Sequence, residues 1–189
     1  MLAVPGGGFH GYNTDVLGVR SALESAGAID GEGHRAVVLG AGGAARAGAY
    51  ALLQLGYQVT ILARSHEPVR AFAAQFGVDL GSLSAAVLSD LDPAVIVHAT
   101  PIGSYGRDEH ERLLPDYVPR PGTIVHDMVY RPVQTKLLRD SQAAGAVTVP
   151  GVEMFLRQAR SQVRLFTGQD LSESVLRGFL AGSAVATAT

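Results

Sequence analysis

A short apolar stretch that runs into a cluster of glycines and alanines is the feature that most constrains this chain. Ala36 to Leu39 has the composition of a buried β-strand, and Gly40-Ala41-Gly42-Gly43-Ala44-Ala45 follows it directly. A helix is predicted to begin at about Ala44 and to continue to Leu55, where Gly56 ends it. The local structure predicted for residues 36–56 is therefore a strand, a glycine-rich turn and a helix.

The small residues of this turn follow the pattern G-x-G-x-x-A, and each fixed position has a physical reason. Gly40 permits a tight turn, Gly42 lets the backbone approach a pyrophosphate, and Ala45 allows the helix to pack closely on the strand. The helix N-terminus would add unpaired N–H groups and a partial positive charge. The turn thus predicts a dinucleotide site, the alternative being a tight turn that binds nothing.

The rest of the chain continues as alternating strands and helices. Further strands are predicted at residues 59–63, 94–98, 123–128 and 146–149, and further helices at residues 16–26, 67–76, 134–144, 152–167 and 171–181. Strands this apolar are buried on both faces, and the helices between them imply parallel crossovers. The predicted class is α/β, with a doubly wound, mostly parallel sheet of the Rossmann type and closing C-terminal helices. We assign residues 13–189 to this domain, and the glycine-rich residues 1–12 to a linker or a remnant of a preceding domain, such as half of a hairpin.

Composition excludes several other classes of function. The 189 residues carry a formal net charge of −2, which gives no electrostatic signature for binding nucleic acid. No apolar stretch approaches the roughly 20 residues of a membrane span, and the N-terminus does not resemble a signal peptide, so we expect a cytoplasmic protein. Cysteine is absent, and the histidines show no ligand spacing, so no metal site is expected; they are His10, His34, His66, His98, His110 and His126.

The residue after the second predicted strand bears on which dinucleotide would bind. An NAD-selective site has Asp or Glu at this point, which holds the ribose 2′-hydroxyl. This chain instead has Arg64, followed by Ser65. A guanidinium suits a 2′-phosphate through its charge and its paired donors. The sequence therefore favours NADP and leaves NAD open, since Arg64 could also be a solvated loop residue.

Six motifs, in order, resemble one family. They are Gly11-Tyr-Asn-Thr-Asp15-Val-Leu-Gly18, the Gly40–Arg46 turn, Ala63-Arg64-Ser65, His98-Ala-Thr-Pro-Ile-Gly103, Asp127-Met-Val-Tyr130-Arg-Pro132-Val-Gln-Thr135 and Gly151-Val-Glu-Met154-Phe-Leu-Arg-Gln158-Ala. Together they resemble the shikimate dehydrogenases over residues 9 to 180. The resemblance implies a small-molecule substrate and an oxidoreductase that reduces 3-dehydroshikimate to shikimate with NADPH, in aromatic amino-acid biosynthesis.

The resemblance also implies roles for individual residues. Asp15 matches a catalytic aspartate that partners a lysine and assists proton transfer. The matching substrate-binding positions are Asn13, Tyr130 and Gln158. The matching cofactor-binding positions are Gly40, Ala41, Gly42, Gly43, Ala44, Ala45, Arg64, Ser65, Thr100, Pro101, Gly103, Met128, Gly151 and Met154.

Members of this family have two domains, and the resemblance covers only the second. The partner lysine belongs to the first domain, and Lys136, the one lysine here, is predicted to lie on a helix surface. We therefore expect a fragment, a truncated gene product or an isolated domain. An apolar patch is expected near Asp15 and the closing helix, where the missing domain or a second copy in a homodimer would dock.

The chain departs from the family pattern at several positions. His98 stands where Asn is usual, Pro68 where a second basic residue is common, and Glu153 where glycine is common. His98 could titrate beside the cofactor, although a histidine satisfied by backbone at a strand end is the simpler interpretation; the role of Glu153 is open. The pattern at Arg64 and Pro68 leaves room for a quinate-type or related dehydrogenase that uses NAD. The missing lysine domain leaves room for a non-catalytic dinucleotide-binding module.

Overall fold

The computed structural model describes residues 2–3, 7–106 and 108–186. The chain opens with a small antiparallel pair, β1 (Leu2–Ala3) and β2 (Phe9–His10). Both strands of this pair lie within the chain, so the expectation of half a hairpin was wrong. The assignment of residues 1–12 to a linker or a remnant of another domain stays a prediction.

Six parallel strands form the main sheet. They are β3 (Arg35–Leu39), β4 (Gln58–Ala63), β5 (Asp79–Ser82), β6 (Val95–His98), β7 (Ile124–Asp127) and β8 (Val147–Val149). Their spatial order is β5-β4-β3-β6-β7-β8, and every neighbouring pair is parallel. The chain winds outward from β3 and then returns to β3's other side with β6. This is the doubly wound Rossmann topology that the sequence predicts, and its switch point lies between β3 and β6.

Helices cover both faces of the sheet. They are α1 (Thr14–Ser25), α2 (Gly43–Gln54), α3 (Arg70–Phe76), α4 (Ala85–Leu91), α5 (Lys136–Ala143), α6 (Gly151–Thr167) and α7 (Glu173–Ala186), with a short 3-10 turn, Glu67–Val69, before α3. Among the described residues, no helix is long and apolar enough to cross a membrane.

Alternate residues of the strands pack in two apolar layers, one on each face of the sheet. In β3, Ala36 and Val38 pack in the layer that contains residues of α1, α2 and α6, while Val37 and Leu39 pack with Leu88 of α4 and with α5. These four strand residues are almost completely buried. Burial on both faces explains why the strand is apolar at every position rather than at alternate ones.

A glycine allows α1 to cross α6 closely. A Cβ at Gly18 would lie 2.8 Å from the backbone oxygen of Met154 and 3.2 Å from the Cβ of Gln158. Any larger residue would therefore push α1 away from α6. This crossing fixes α1, and with it the first-turn residues Asn13 and Asp15, against the remainder of the domain.

The sequence did not predict β5 or α4. β5 has the sequence Asp-Leu-Gly-Ser, which lacks the apolar run of the inner strands, because it is an edge strand that pairs only with β4. α4 has seven residues, too few for a clear helical period. Its N-cap, Ser84, accepts a hydrogen bond from the Val87 amide at 3.2 Å.

Candidate functional site: two clefts at the first turn of α2

The glycine-rich turn has the geometry that its sequence predicts. Gly40 has φ +120, a conformation that favours glycine, and a Cβ there would lie 2.9 Å from the backbone oxygen of Ala99. Gly42 is the N-cap of α2, and a Cβ at Gly42 or Gly43 would meet no atom within 4 Å. The turn is thus tight on the sheet side and open in front of the helix N-terminus.

This open space lies where charge complementarity would favour an anion. The first N–H groups of a helix have no partner within the helix and carry the positive end of its dipole. The first turn of α2 also stands at the carboxyl end of β3, beside the switch point to β6. Ligands of open α/β sheets bind at this point.

One cleft, here called the Thr100 cleft, lies on the β6 and β7 side of this turn and measures about 440 Å³. Its walls include five of the residues predicted for the site: Ala44, Thr100, Pro101, Met128 and Tyr130. The remaining walls are Ala99, Ser104, Tyr105, Val129 and Arg131. The guanidinium of Arg131 lies 5.0 Å from the centre of the Tyr105 ring, a cation–π contact that no sequence motif indicated.

A second cleft, here called the Asp15 cleft, lies on the α1 side of the turn and measures about 720 Å³. Asp15 and Asn13 line it, together with Gly43 and Arg46 of α2. The Asn13 side chain accepts hydrogen bonds from the amides of Asp15, at 3.2 Å, and Val16, at 3.3 Å, so it caps α1. Because Gly43 borders this cleft and Ala44 borders the Thr100 cleft, the two clefts flank the first turn of α2.

The side chains around the Asp15 cleft are in part apolar and exposed. Tyr12 is 51% exposed and Leu17 is 47% exposed. Tyr50, Phe72 and Phe76 form the opposite wall. Apolar surface thus lies near Asp15, where the sequence led us to expect it.

The loop after β4 carries the residues predicted to select the dinucleotide. Arg64 and Ser65 are exposed and directly follow the last residue of the strand. Arg70, the nearest other arginine in sequence, pairs with Glu67 at 3.3 Å. The charge of Arg70 is therefore offset by Glu67.

Several predicted residues lie in the packing around the clefts rather than on their walls. Gly151 is buried at the start of α6, and a Cβ there would come within 2.7 Å of the Met128 backbone oxygen. Met154 is buried and packs on Gly18, and Gln158 lies at the same crossing of α1 and α6. Gly103 is buried with φ +88. The direct ligand contacts predicted for these four positions stay predictions.

A buried hydrogen-bond chain connects the Thr100 cleft to the core. His98 Nδ1 lies 2.9 Å from Asp127 Oδ1, and His98 Nε2 lies 2.6 Å from Thr100 Oγ1. Asp127 also accepts from the Val129 amide, at 3.0 Å, and from the Thr135 hydroxyl, at 2.7 Å. The simpler sequence interpretation of His98, a histidine satisfied by backbone, was wrong, because the side chains of Asp127 and Thr100 satisfy it.

The sequence contained one signal of this chain of contacts. His98 and Asp127 are the last residues of adjacent strands and are partners in the register of the sheet. A histidine and an aspartate that each end an apolar strand are candidates for such a pair. Only the strand order, which the sequence does not state, makes β6 and β7 neighbours.

The other unusual position, Glu153, has a structural role. Its carboxylate accepts hydrogen bonds at 2.7 Å from Arg157, on the same helix, and from Arg177, on α7. Burial raises the pKa of Glu153, but the hydrogen bonds from Arg177 and Arg157 outweigh it and hold that pKa below its usual value. Glu153 thus joins α7 to the first turn of α6.

A second buried histidine, His126, is in β7 beside the His98 contacts. Its Nδ1 lies 2.9 Å from the backbone oxygen of Val149, and within the described part of the chain its Nε2 has no hydrogen-bond partner. Burial lowers the pKa of His126 below its usual value of 6.5. Within that same part of the chain, no three His, Asp or Glu side chains are grouped so that they could hold a metal ion.

Comparison with curated proteins finds similarity to shikimate dehydrogenases. No protein-family model matches the chain. The shikimate dehydrogenase (NADP(+)) of Halobacterium salinarum is 40% identical over 181 residues, which are 90% of this chain and 63% of that protein. The enzyme of the same name from Methanothermobacter thermautotrophicus is 35% identical over 173 residues, 87% of this chain and 60% of that protein.

Solved structures agree with the sequence comparison. A shikimate dehydrogenase in complex with NADP+ has a TM-score of 0.80 at 30% identity, over 92% of this chain and 62% of that one. The quinate dehydrogenase of Corynebacterium glutamicum in complex with NAD has a TM-score of 0.73 at 31% identity, over 90% of this chain and 63% of that one. The chain spans about 60% of the length of the curated relatives that it matches. By sequence and by fold, this chain is therefore similar to shikimate dehydrogenases over about nine tenths of its own length.

Proposed function

We propose that this chain binds NADP(H) as the cofactor-binding domain of an oxidoreductase that reduces 3-dehydroshikimate to shikimate. The observation that carries the proposal is the open first turn of α2 at the switch point of the sheet. A Cβ at Gly42 or Gly43 would meet open space, so a phosphate can approach the backbone there. Relatives that are 35% and 40% identical to this chain are named shikimate dehydrogenase (NADP(+)), which supports this choice of ligand.

Two features support the orientation of the dinucleotide. Arg64 and Ser65, after β4, offer donors suited to a 2′-phosphate at the adenosine end. Thr100, Met128 and Tyr130 surround the Thr100 cleft, into which the other end of the molecule would extend. The pyrophosphate would then lie in front of Gly42, between the two ends.

The residues of the Asp15 cleft support a role in proton transfer. When bound, the dinucleotide supplies a hydride from its nicotinamide ring to the carbonyl carbon of the substrate. The Asp15 carboxylate would hold a substrate hydroxyl and assist the transfer of a proton to the carbonyl oxygen. Asn13 keeps Asp15 in place by capping α1, and Tyr130 and Gln158 would contact the substrate.

The lysine that the family resemblance pairs with Asp15 is not supplied by Lys136. Lys136 begins α5 and donates a hydrogen bond to Asp140 at 2.9 Å, and it lines neither cleft. Turnover therefore needs a proton donor other than the lysine of this chain. In our proposal a second domain or polypeptide that docks beside the apolar side chains of the Asp15 cleft provides it.

A titration with NADPH tests the cofactor assignment. Gly42→Asp places a carboxylate in the open space before α2, so we expect it to weaken NADPH binding by at least tenfold through repulsion of the phosphates. Gly42 has φ −82, which any residue adopts, so the variant should fold. Ser89→Asp, which adds the same charge on an exposed position of α4, is the matched control and should bind as the wild type does.

One observation favours a second candidate, an NAD-dependent quinate or shikimate dehydrogenase. Glu67 pairs with Arg70, so the charge of Arg70 is already offset. A 2′-phosphate would therefore meet the charge of Arg64 alone, with the Glu67 carboxylate three residues away in the sequence. Titration with NADH separates the two candidates. Tighter binding of NADPH than of NADH, abolished in Arg64→Ala, supports the first, and equal or tighter binding of NADH supports the second.

A further inference from the structure

The hydroxyl of Thr100 is the end of a buried polar chain that begins in the core. His98 and Asp127 are 1% and 0% exposed, and Thr135 is completely buried. Thr135 is also the N-cap of α5, where its hydroxyl accepts from the Leu138 amide at 3.3 Å. The chain therefore runs from the N-terminus of α5 through the carboxyl ends of β7 and β6 to the wall of the Thr100 cleft.

The direction of each hydrogen bond follows from the chemistry of the groups. A carboxylate only accepts, so the Asp127 Oδ1 atom requires a proton on His98 Nδ1. In the neutral imidazole the other nitrogen, Nε2, is then an acceptor. Thr100 is its partner at 2.6 Å, so the Thr100 proton points toward His98 and away from the cleft. Thr100 lines the cleft, and its oxygen then retains acceptor capacity only.

The same residues do not form a nucleophilic site. An Asp–His–Thr order resembles the hydrolase triads, in which backbone N–H groups beside the nucleophile stabilise an oxyanion. The residue after Thr100 is Pro101, which has no N–H. The next amide, that of Ile102, points at the Thr100 oxygen itself, at 3.4 Å. The arrangement orients a hydroxyl rather than activating one.

We infer that His98, held by Asp127, is a positioning residue that makes Thr100 a hydrogen-bond acceptor for an O–H or N–H donor of the bound ligand. The inference rests on the proposed function, and it names which part of the dinucleotide meets Thr100. Ionised phosphate groups carry no donor, so Thr100 contacts a ribose hydroxyl or an amide group. His98 thereby acts on ligand recognition without touching the ligand.

Variants of the two residues test the inference through NADPH affinity. Thr100→Val removes the acceptor and keeps the shape, so it should weaken binding about three- to tenfold, whereas Thr100→Ser should restore it. Asparagine is shorter than histidine and has no second ring nitrogen, so we expect an amide at position 98 to lose the contact with Thr100. His98→Asn should therefore weaken binding, and in a Thr100→Val background it should add no further loss.

A matched control separates positioning from stability. His126→Gln also removes a completely buried imidazole, from the neighbouring strand, and touches neither Thr100 nor a cleft. It should lower the melting temperature and leave NADPH affinity within twofold. An equal loss of affinity in His126→Gln and His98→Asn would overturn the inference, as would wild-type affinity in Thr100→Val.

The ring nitrogens of His98 give a test that needs no ligand. Their 15N chemical shifts, assigned by comparison with His98→Asn, should show a protonated Nδ1 and an unprotonated Nε2 at pH 7.5. A proton on Nε2 would reverse the Thr100 hydroxyl and contradict the inference. If the wild type binds no dinucleotide, both the proposed function and the ligand inferred for Thr100 are wrong. If the wild type binds NADPH but His98 carries a proton on Nε2, only the positioning role of His98 is wrong.

Discussion

The Thr100 cleft and the Asp15 cleft flank the same turn of α2 but are built differently. The polar wall of the Thr100 cleft is fixed from below by His98 and Asp127, which are buried in the sheet. Asp15 stands half-exposed on the first turn of a helix, held by a local cap. Changes beneath the first cleft should therefore alter stability and binding together, whereas a change of Asp15 itself should alter binding and activity with little effect on stability.

The largest effect should come from Gly40, where the turn is pressed on the loop of the Thr100 cleft. Gly40→Val combines a φ of +120 with a contact to the Ala99 backbone, so we expect the free energy of unfolding to fall by about 3 kcal/mol or more. Urea denaturation measures it. Gly43→Ala, in open space on the same turn, is the control and should be neutral or slightly stabilising.

Removal of the buried carboxylate should have the next largest effect. Asp127→Ala leaves three buried donors without their acceptor, and we expect a loss of about 2 to 3 kcal/mol. Asp15→Asn, in the other cleft, should change stability by less than about 0.5 kcal/mol. If both variants lose the same stability by chemical denaturation, the distinction between the clefts is wrong.

A smaller effect is expected at the cap that orients Asp15. Asn13→Ala removes the acceptor for the Asp15 and Val16 amides and should cost about 1 kcal/mol. Asn13→Ser retains a capping oxygen and should be close to the wild type. Thermal unfolding followed by circular dichroism compares the two, and an unchanged melting temperature in Asn13→Ala would show that the cap does not hold α1.

The smallest effect concerns pH and the core below the Thr100 cleft. Burial lowers the pKa of His126 in the folded protein below the usual value of 6.5. Below pH 6.5 the unfolded chain therefore binds a proton at this histidine more readily than the folded chain does. Stability from this group is present above pH 6.5 and is lost as the pH falls toward the folded-state pKa. The free energy of unfolding should therefore fall between pH 7 and pH 6. The wild type should show this loss relative to His126→Gln, and identical pH profiles would contradict it.

Much of the candidate site could be predicted because its information is local. The turn from Gly40 to Ala45 has its strand, its helix and its open glycines within one short segment, and the structure has the geometry expected. β5 and α4 could not be predicted, since Gly81 and its neighbours form a strand only through pairing with β4. The hydrogen bonds that stabilise this strand come from another segment of the chain, so the local sequence pattern does not reveal it.

The sequence by itself determined the fold class, the position of the glycine-rich turn and the family resemblance. Each depends on residue types at short and regular spacing, which local sterics and burial translate directly into structure. Only the tertiary structure decided that His98 contacts Asp127 and Thr100, that Glu153 joins α6 to α7, and that Met154 is packing rather than cleft wall. These outcomes depend on which segments become neighbours in space, because a buried polar group takes whichever partner the packing brings within hydrogen-bond distance.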